Sequence, residues 1–518
     1  MKILEGSICL FLAVFLGTIA VGQSPKTAPS LPVEYVNKMS WRNIGPANMS
    51  GRIPAIAVYE KDPSIWWAAS ASGGLLKTVN NGVTFEFQFD KEAVVSVGDV
   101  QVAQSDPNIV WVGSGEANPR NSVSWGDGVY KSIDGGKTWK NMGLKKIFQT
   151  GRIAIHPTDP NIVYVGALGR LWGPSEDRGL YKTTDAGKTW EKVLFIDDKT
   201  GVIDVQMDQS NPDRLYVAAY ERKRDGFDGN DPEVKYGEGA GIYRTDDGGK
   251  SFKKLESGLP SCKKGRIGLS IYRKDSSHVY AIVESEKIGK MPDDLPYAGL
   301  SGASADEVGS KITAVTKDGP SEKAGLKVGD LVISANGRIV HKYDDLLKYI
   351  RNTKVGDELK LTCSRDKKTV EITIKMAERP KPKENAGGES ENARRSPGRG
   401  GRGQSTRNEF TGTLGGQAAN RQDFQGPNGK EHGGIYRSKD FGDTWTRINS
   451  LNPRPMYYSQ IRVDPSDNNY IYVCGTSLYK SKDGGVTFTG DGGSDGIHVD
   501  HHSLWLDPND GRHMILGN

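Results

Sequence analysis

The residues best suited to chemistry fall into three sets. Loops rich in acids and tryptophan come first: Glu116, Asn118, Arg120 and Trp125; then Arg170, Trp172, Glu176, Asp177 and Arg178; then Glu221, Arg222, Arg224, Asp225, Asp228 and Asp231. Tryptophan and carboxylates in a cleft suit a glycan, and paired acids perform glycoside hydrolysis, one protonating the leaving oxygen while the other attacks or activates water. Glu116, Asp177 and Asp228 are the candidate catalytic acids; the alternative is ordinary charge on solvated loops. Secondly, His498-Val499-Asp500-His501-His502 holds three of the eight histidines. On a strand, His498, Asp500 and His502 share one side and could hold a divalent metal such as zinc; polar lining is the alternative, and no other cofactor is expected. Finally, Arg52, Arg152 and Arg266 recur in Gly-Arg-Ile segments, either as a repeat feature or as an arginine-lined funnel favouring acidic ligands.

The elements that position these residues repeat. Ser/Thr-x-Asp-x-Gly-x-Thr/Ser-Trp/Phe occurs around Asp134, Asp185, Asp247, Asp440 and Asp483, with a degenerate copy at Asn80. Successive copies lie 54, 51, 62, 193 and 43 residues apart. Each follows a short strand such as Gly179-Leu180-Tyr181-Lys182. Upstream lies a strand pair around an Asp/Asn-Pro turn, as in Arg152–His156, Asp159-Pro160-Asn161 and Ile162–Gly166. Each unit is therefore four short antiparallel strands, which is a β-propeller blade. The Asp carboxylates are expected to be structural, accepting N–H and hydroxyl groups across a tight turn. These are Asp-boxes, or BNR repeats. The chain resembles sortilin-type receptors, two-propeller xyloglucanases and photosystem assembly factors over 39–294 and 433–518, relatives whose activities differ.

Seven units begin near Gly51, Val97, Gly151, Gly201, Gly265, Tyr458 and Ile497. The expected fold is mainly β, a seven-bladed propeller with an incomplete last blade. Met39–Gly45 resembles an outermost strand and is expected to close the ring, and a box-bearing strand is expected after Asn518.

The 193-residue gap holds a second module at 295–378. Ile312–Val315 reads as a strand, 319–326 as a turn and a short helix, Leu331–Ser334 as a strand, Asn336-Gly337 as a hairpin, and Asp344–Ile350 as an amphipathic helix with Leu346, Leu347 and Ile350 on its core side. Two strands, Glu358–Cys363 and Thr369–Ile374, follow. "SEKAGLKVGD" and "ISANGRIV" closely resemble a PDZ domain of the bacterial protease type. That resemblance implies a carboxylate-binding loop at Tyr297, Ala298, Gly299 and Leu300, with a peptide C-terminus added as a strand against the helix, where Leu346, Leu347 and Ile350 are the expected peptide-binding residues. Residues 379–432 read as a disordered Gly/Arg-rich tether.

Composition sets the bounds. Lys+Arg 69 against Asp+Glu 64 gives +5, no case for a nucleic-acid partner. Gly 65 and Pro 25 favour short strands and turns over bundles. Residues 1–22 read as an export signal, with Ile8–Ala20 apolar and small residues at Ala20 and Gly22, and 23–38 as a linker. A secreted or periplasmic bacterial protein follows, with no membrane span after cleavage. The favoured role is a noncatalytic scaffold that binds peptide C-termini through the PDZ domain and a protein or glycan through the propeller; glycoside hydrolysis is the alternative. A Cys262–Cys474 bridge stays open.

Overall fold

The computed structural model describes residues 32–36, 51–120, 123–224, 232–290, 296–305, 308–351, 353–380, 412–414, 417–420, 426–491 and 497–518. The export signal, the closing strand at 39–45 and Asp228 lie outside them. Two units are separable, Met1–Ala47 and Asn48–Asn518; of the first, only a helical turn, Val33–Val36, is described. No helix among the described residues is long and apolar enough to cross a membrane.

The second unit is built mainly from antiparallel sheets. Among the described residues, six sheets have four strands in meander order, and a seventh comprises Ser503–Leu506 and Met514–Gly517. The third is typical: Thr150–Ile155, Val163–Ala167, Gly179–Thr183 and Glu191–Leu194. Two of the second strands, Trp66–Ser70 and Val163–Ala167, are buried along their whole length. Neighbouring sheets cover both their faces, which explains their continuous apolar runs. The first strands of successive sheets are neighbours in chain order. The last sheet adjoins the first: Ile53 N donates to Asn518 O at 3.2 Å, and Ser503 Oγ to Ile53 O at 2.8 Å.

The repeated turn explains its own sequence. Asp134 Oδ1 accepts from Ser132 Oγ at 2.7 Å and Thr138 N at 2.9 Å, while Oδ2 accepts from Thr138 Oγ1 at 2.6 Å. Gly135 and Gly136 have φ of 71° and 92°, a left-handed pair that a side chain would strain. Asp185, Asp247, Asp440 and Asp483 make the same bonds. Asn80 reproduces them with an amide: Oδ1 accepts from Thr84 N at 2.9 Å and Nδ2 donates to Thr84 Oγ1 at 2.9 Å.

The fifth sheet contains a detour. Its second strand, Val279–Ser285, pairs with Gly434–Ser438, Val283 opposite Gly434. Between them lies a sheet ordered Leu300–Ser304, Ser310–Val315, Leu331–Ala335, Glu358–Arg365, Lys368–Lys375, with helices Pro320–Lys323 and Tyr343–Arg351. It has its own core around Ile312, Val332, Leu346, Leu361 and Ile374. Residues 426–432, expected as tether, are instead a 3-10 helix packed on the fifth sheet. Glu431 Oε2 takes Ser261 N at 2.8 Å, and Ser285 Oγ donates to Glu431 O at 2.8 Å. Local polarity hid these long-range bonds. Cys262, Cys363 and Cys474 are all free thiols, so the open bridge is not formed.

Candidate functional site

Trp125 and Trp172, from different loops, come together. With Val123, Ser124, Phe148, Gln149 and Leu171 they line a cleft of about 230 Å³. Trp125 is 67% exposed and Trp172 44%, so the cleft presents open aromatic surface. The Trp125 and Phe148 rings lie 5.8 Å apart, and the exposed Arg170 guanidinium sits 5.6 Å from the Phe148 ring. Buried arginines hold the cleft wall from behind. Arg178 donates to the carbonyls of Leu168, Arg170 and Gly173 at 2.6, 2.9 and 3.0 Å, fixing the loop that carries Leu171 and Trp172.

Of the expected acids, Glu116 is 1% exposed and ion-paired with Arg52, and it accepts from Asn118 Nδ2 at 2.9 Å. Asp177 is half-buried, and its carbonyl takes the Tyr181 hydroxyl at 3.2 Å. Glu221 differs from both: burial first, then the Asp197 charge, pushes its carboxyl up. Nothing in the sequence separated Glu221 from its neighbours, because burial depends on packing.

The three repeated arginines are not an open funnel. Arg152 is clamped between Asp99 at 3.2 Å and Asp204 at 3.3 Å, although it also borders a polar cavity with Gln101, Gln206 and Arg462. Arg266 is 3% exposed and donates to Asn118 Oδ1 at 2.7 Å and Met456 O at 2.9 Å. Arg52 lies 5.5 Å from the Tyr457 ring, which Arg120 and Arg454 also flank at 5.1 and 4.6 Å. Tyr457 carried no repeat signal.

The histidine cluster does not form the expected donor set. Residues 498–502 precede the strand Ser503–Leu506, and Asp500 has a φ of 90°, so alternation does not apply. His498 is exposed; His502 is buried with Nε2 3.7 Å from Asp500 Oδ2. No group of three metal-ligating side chains occurs among the described residues. Burial pushes the His502 imidazole down, towards its neutral form.

In the inserted module, Gly299 has a φ of 74°, and the carbonyls of Ala298 and Gly299 are held by Ser321 N and Thr316 N, each at 2.9 Å. Among the described residues, Leu300–Ser304 is an edge strand paired only with Ser310–Val315. Helix Tyr343–Arg351 runs beside it, Tyr343 N reaching Ser304 Oγ at 3.2 Å. Leu346 and Ile350, expected to bind peptide, are instead buried in the core, whereas Leu347, expected on the core side, is half-buried outside it.

Two family models match the chain: "Sortilin, neurotensin receptor 3," over 127–299, and "PDZ domain" over 261–376. The chain resembles an Asp-box propeller carrying a PDZ domain. A xyloglucanase of Acetivibrio thermocellus is 26% identical over 278 residues, 50% of this chain and 31% of that protein. A probable periplasmic serine endoprotease, DegP-like, of Brucella suis is 35% identical over 86 residues, 17% of each. The chain thus spans less than a third of the xyloglucanase's length. Among solved structures, the GH74 xyloglucanase from Xanthomonas campestris aligns with TM-score 0.36 and 13% identity over 85% of this chain and 53% of that one. YCF48 bound to D1 peptide aligns with TM-score 0.41 and 11% identity over 90% and 91%. The PDZ match begins earlier than the inserted sheet, since 264–285 supply two strands of the fifth sheet.

Proposed function

We propose that the chain is an exported, noncatalytic recruiting protein. Its seven sheets are the blades of one closed ring, its aromatic cleft binds a glycan, and its PDZ domain captures a peptide C-terminus. The observation that carries this reading is the edge strand Leu300–Ser304, which among the described residues has no partner on its outer side, beside the left-handed Gly299 turn. An added peptide strand would use that edge for main-chain bonds, and N–H groups of the 298–300 turn would meet the terminal carboxylate. Leu347 is the helix residue placed to meet a peptide side chain. The exposed Trp125 and Trp172 support the glycan half, since flat apolar rings suit sugar faces. Resemblance to periplasmic and xyloglucan-degrading proteins supports a location in the envelope or outside the cell.

A library of free C-terminal peptides tests the first half. Selected peptides should lose affinity by about ten-fold or more when amidated, because the terminal charge is removed; equal binding of the amides rejects it.

Glycoside hydrolysis is the second reading, favoured by the raised Glu221 carboxyl beside Asp197. A polysaccharide hydrolysis screen decides. Turnover abolished by Glu221→Gln, Asp177→Asn or Asp228→Asn establishes an enzyme; no turnover on any polysaccharide supports the binding protein.

A further inference from the structure

The groove between the edge strand and helix Tyr343–Arg351 is not uniform along its length. One face of the strand is turned to the helix. Leu300 packs against the module's core, Ser304 Oγ accepts from Tyr343 N at 3.2 Å, and Gly302, between them, lies under the Tyr343 ring. A Cβ built on Gly302 would stand 2.8 Å from both Cδ2 and Cε2 of that ring, closer than a real side chain tolerates. The φ of Gly302 is not left-handed, so the backbone there does not call for glycine. The ring calls for it. The first residue of the helix thus covers the strand at the place where a side chain would otherwise stand.

The direction of an added peptide follows from the turn at 298–300. A C-terminus held there belongs to a peptide running antiparallel to the strand, which leads away from the turn towards Ser304. The last peptide residue then lies opposite Leu300, and the third from the end lies opposite Gly302. The strand does carry a bulge between Ser301 and Gly302, but Ser301 pairs with Ala314 and Gly302 with Ile312, so the extra residue, Thr313, belongs to the inner strand and the spacing along the edge is regular. Directly opposite residues of an antiparallel pair put their side chains on one face, with Cβ atoms about 4.5–5.5 Å apart. The third side chain from the end is therefore aimed at the Tyr343 ring. That leaves Leu347, one helical turn on, to meet the last one.

We propose that Tyr343 is a specificity-determining residue: its ring fills the subsite for the third residue from the peptide C-terminus, so the groove takes glycine, alanine or serine there and rejects larger side chains. Selection of this kind comes from a built-in clash rather than from an added attraction. The inference rests on the PDZ reading of the module and adds which C-termini the groove takes.

The test screens the full chain against a library of random peptides with free C-termini. The best binder is then titrated with glycine, alanine, leucine or phenylalanine at the third position from the end. Glycine, alanine and serine should dominate that position, and leucine or phenylalanine there should weaken binding by about ten-fold or more. Tyr343→Phe should keep the selection, because the ring and not the hydroxyl excludes. Tyr343→Ala should bring leucine and phenylalanine to within about two-fold of alanine. The Tyr343 side chain also packs against the module's core, so hydrogen exchange over 296–378 checks each variant. If Tyr343→Ala unfolds the module, Tyr343→Leu, which keeps apolar contact with the core, serves in its place. Large residues bound by the unmodified chain as tightly as alanine overturn the inference and leave the PDZ reading standing. Selection that survives removal of the ring assigns it to another residue and overturns the role of Tyr343. No binder among free C-termini, or binders indifferent to amidation, overturns both.

Discussion

The Trp190 indole donates to the Met142 carbonyl at 2.8 Å, and this bond fastens the Asp-box of the third sheet to the outer end of the second. Trp139 repeats it one sheet earlier, to Gln88 O at 2.6 Å. Thus the last residue of each of these boxes is a rivet between sheets, while the Asp shapes the turn that presents it. The Trp190 ring also meets Trp111 edge-on, with centroids 5.9 Å apart. Trp190→Phe keeps most of that ring contact and removes the donor. Stability should fall by about 1–2 kcal/mol, the cost of stranding a part-buried acceptor. Urea denaturation measures it, and an unchanged midpoint would show that the bond contributes nothing.

Acid stability should follow the boxes. Bonds from the Thr hydroxyl and N–H groups pull the carboxyls of Asp134, Asp185 and Asp483 down to about 2. An unfolded Asp titrates near about 3.9. A folded value below the unfolded one means that the stabilisation is complete above about pH 4 and is lost as pH falls towards about 2. Replacing Asp134 and Asp185 by Asn should flatten that acid slope while the turns persist, because Asn80 already makes the equivalent bonds in the first sheet. Denaturant midpoints between about pH 5 and pH 2.5 report it; an acid slope unchanged by the substitutions would locate it elsewhere.

The boxes were legible because every bond that defines them lies within a few residues of sequence. The strands around the Asp-Pro turns were legible for a similar reason: Asp159 Oδ1 accepts from Asn161 N at 3.0 Å, two residues away. The inserted strand Leu300–Ser304 was obscure because an edge strand paired on one side needs little apolar alternation, and its residues are mostly half-buried or exposed. The histidine segment was misread because one left-handed residue, Asp500, breaks the alternation the metal reading needed.

A structural role for Glu116 can be tested by its removal. It is buried beside Arg52, whose side chain is only 16% exposed, so removing the carboxylate strands a largely desolvated cation. Glu116→Ala should destabilise the chain by about 3–5 kcal/mol, as broken buried pairs do. Thermal denaturation without any ligand reads the loss. A variant of unchanged stability would return Glu116 to the list of functional acids.

Helix Tyr343–Arg351 permits the sharpest separation of fold from binding, because adjacent leucines face different surroundings. Leu346 is 0% exposed within the module's core, among Ile312, Val332 and Leu361. Leu347 is half-buried and outside that cluster. Leu346→Ala should cost about 2–5 kcal/mol of stability, the usual penalty for a cavity in a packed core. Leu347→Ala should change stability by less than about 1 kcal/mol and weaken a selected C-terminal peptide by about ten-fold, by removing apolar surface the peptide would cover. Hydrogen exchange over 296–378 monitors the fold, and peptide titration monitors the groove. If Leu347→Ala destabilises the module as much as Leu346→Ala does, the helix presents no separate binding side, and the peptide must use another surface.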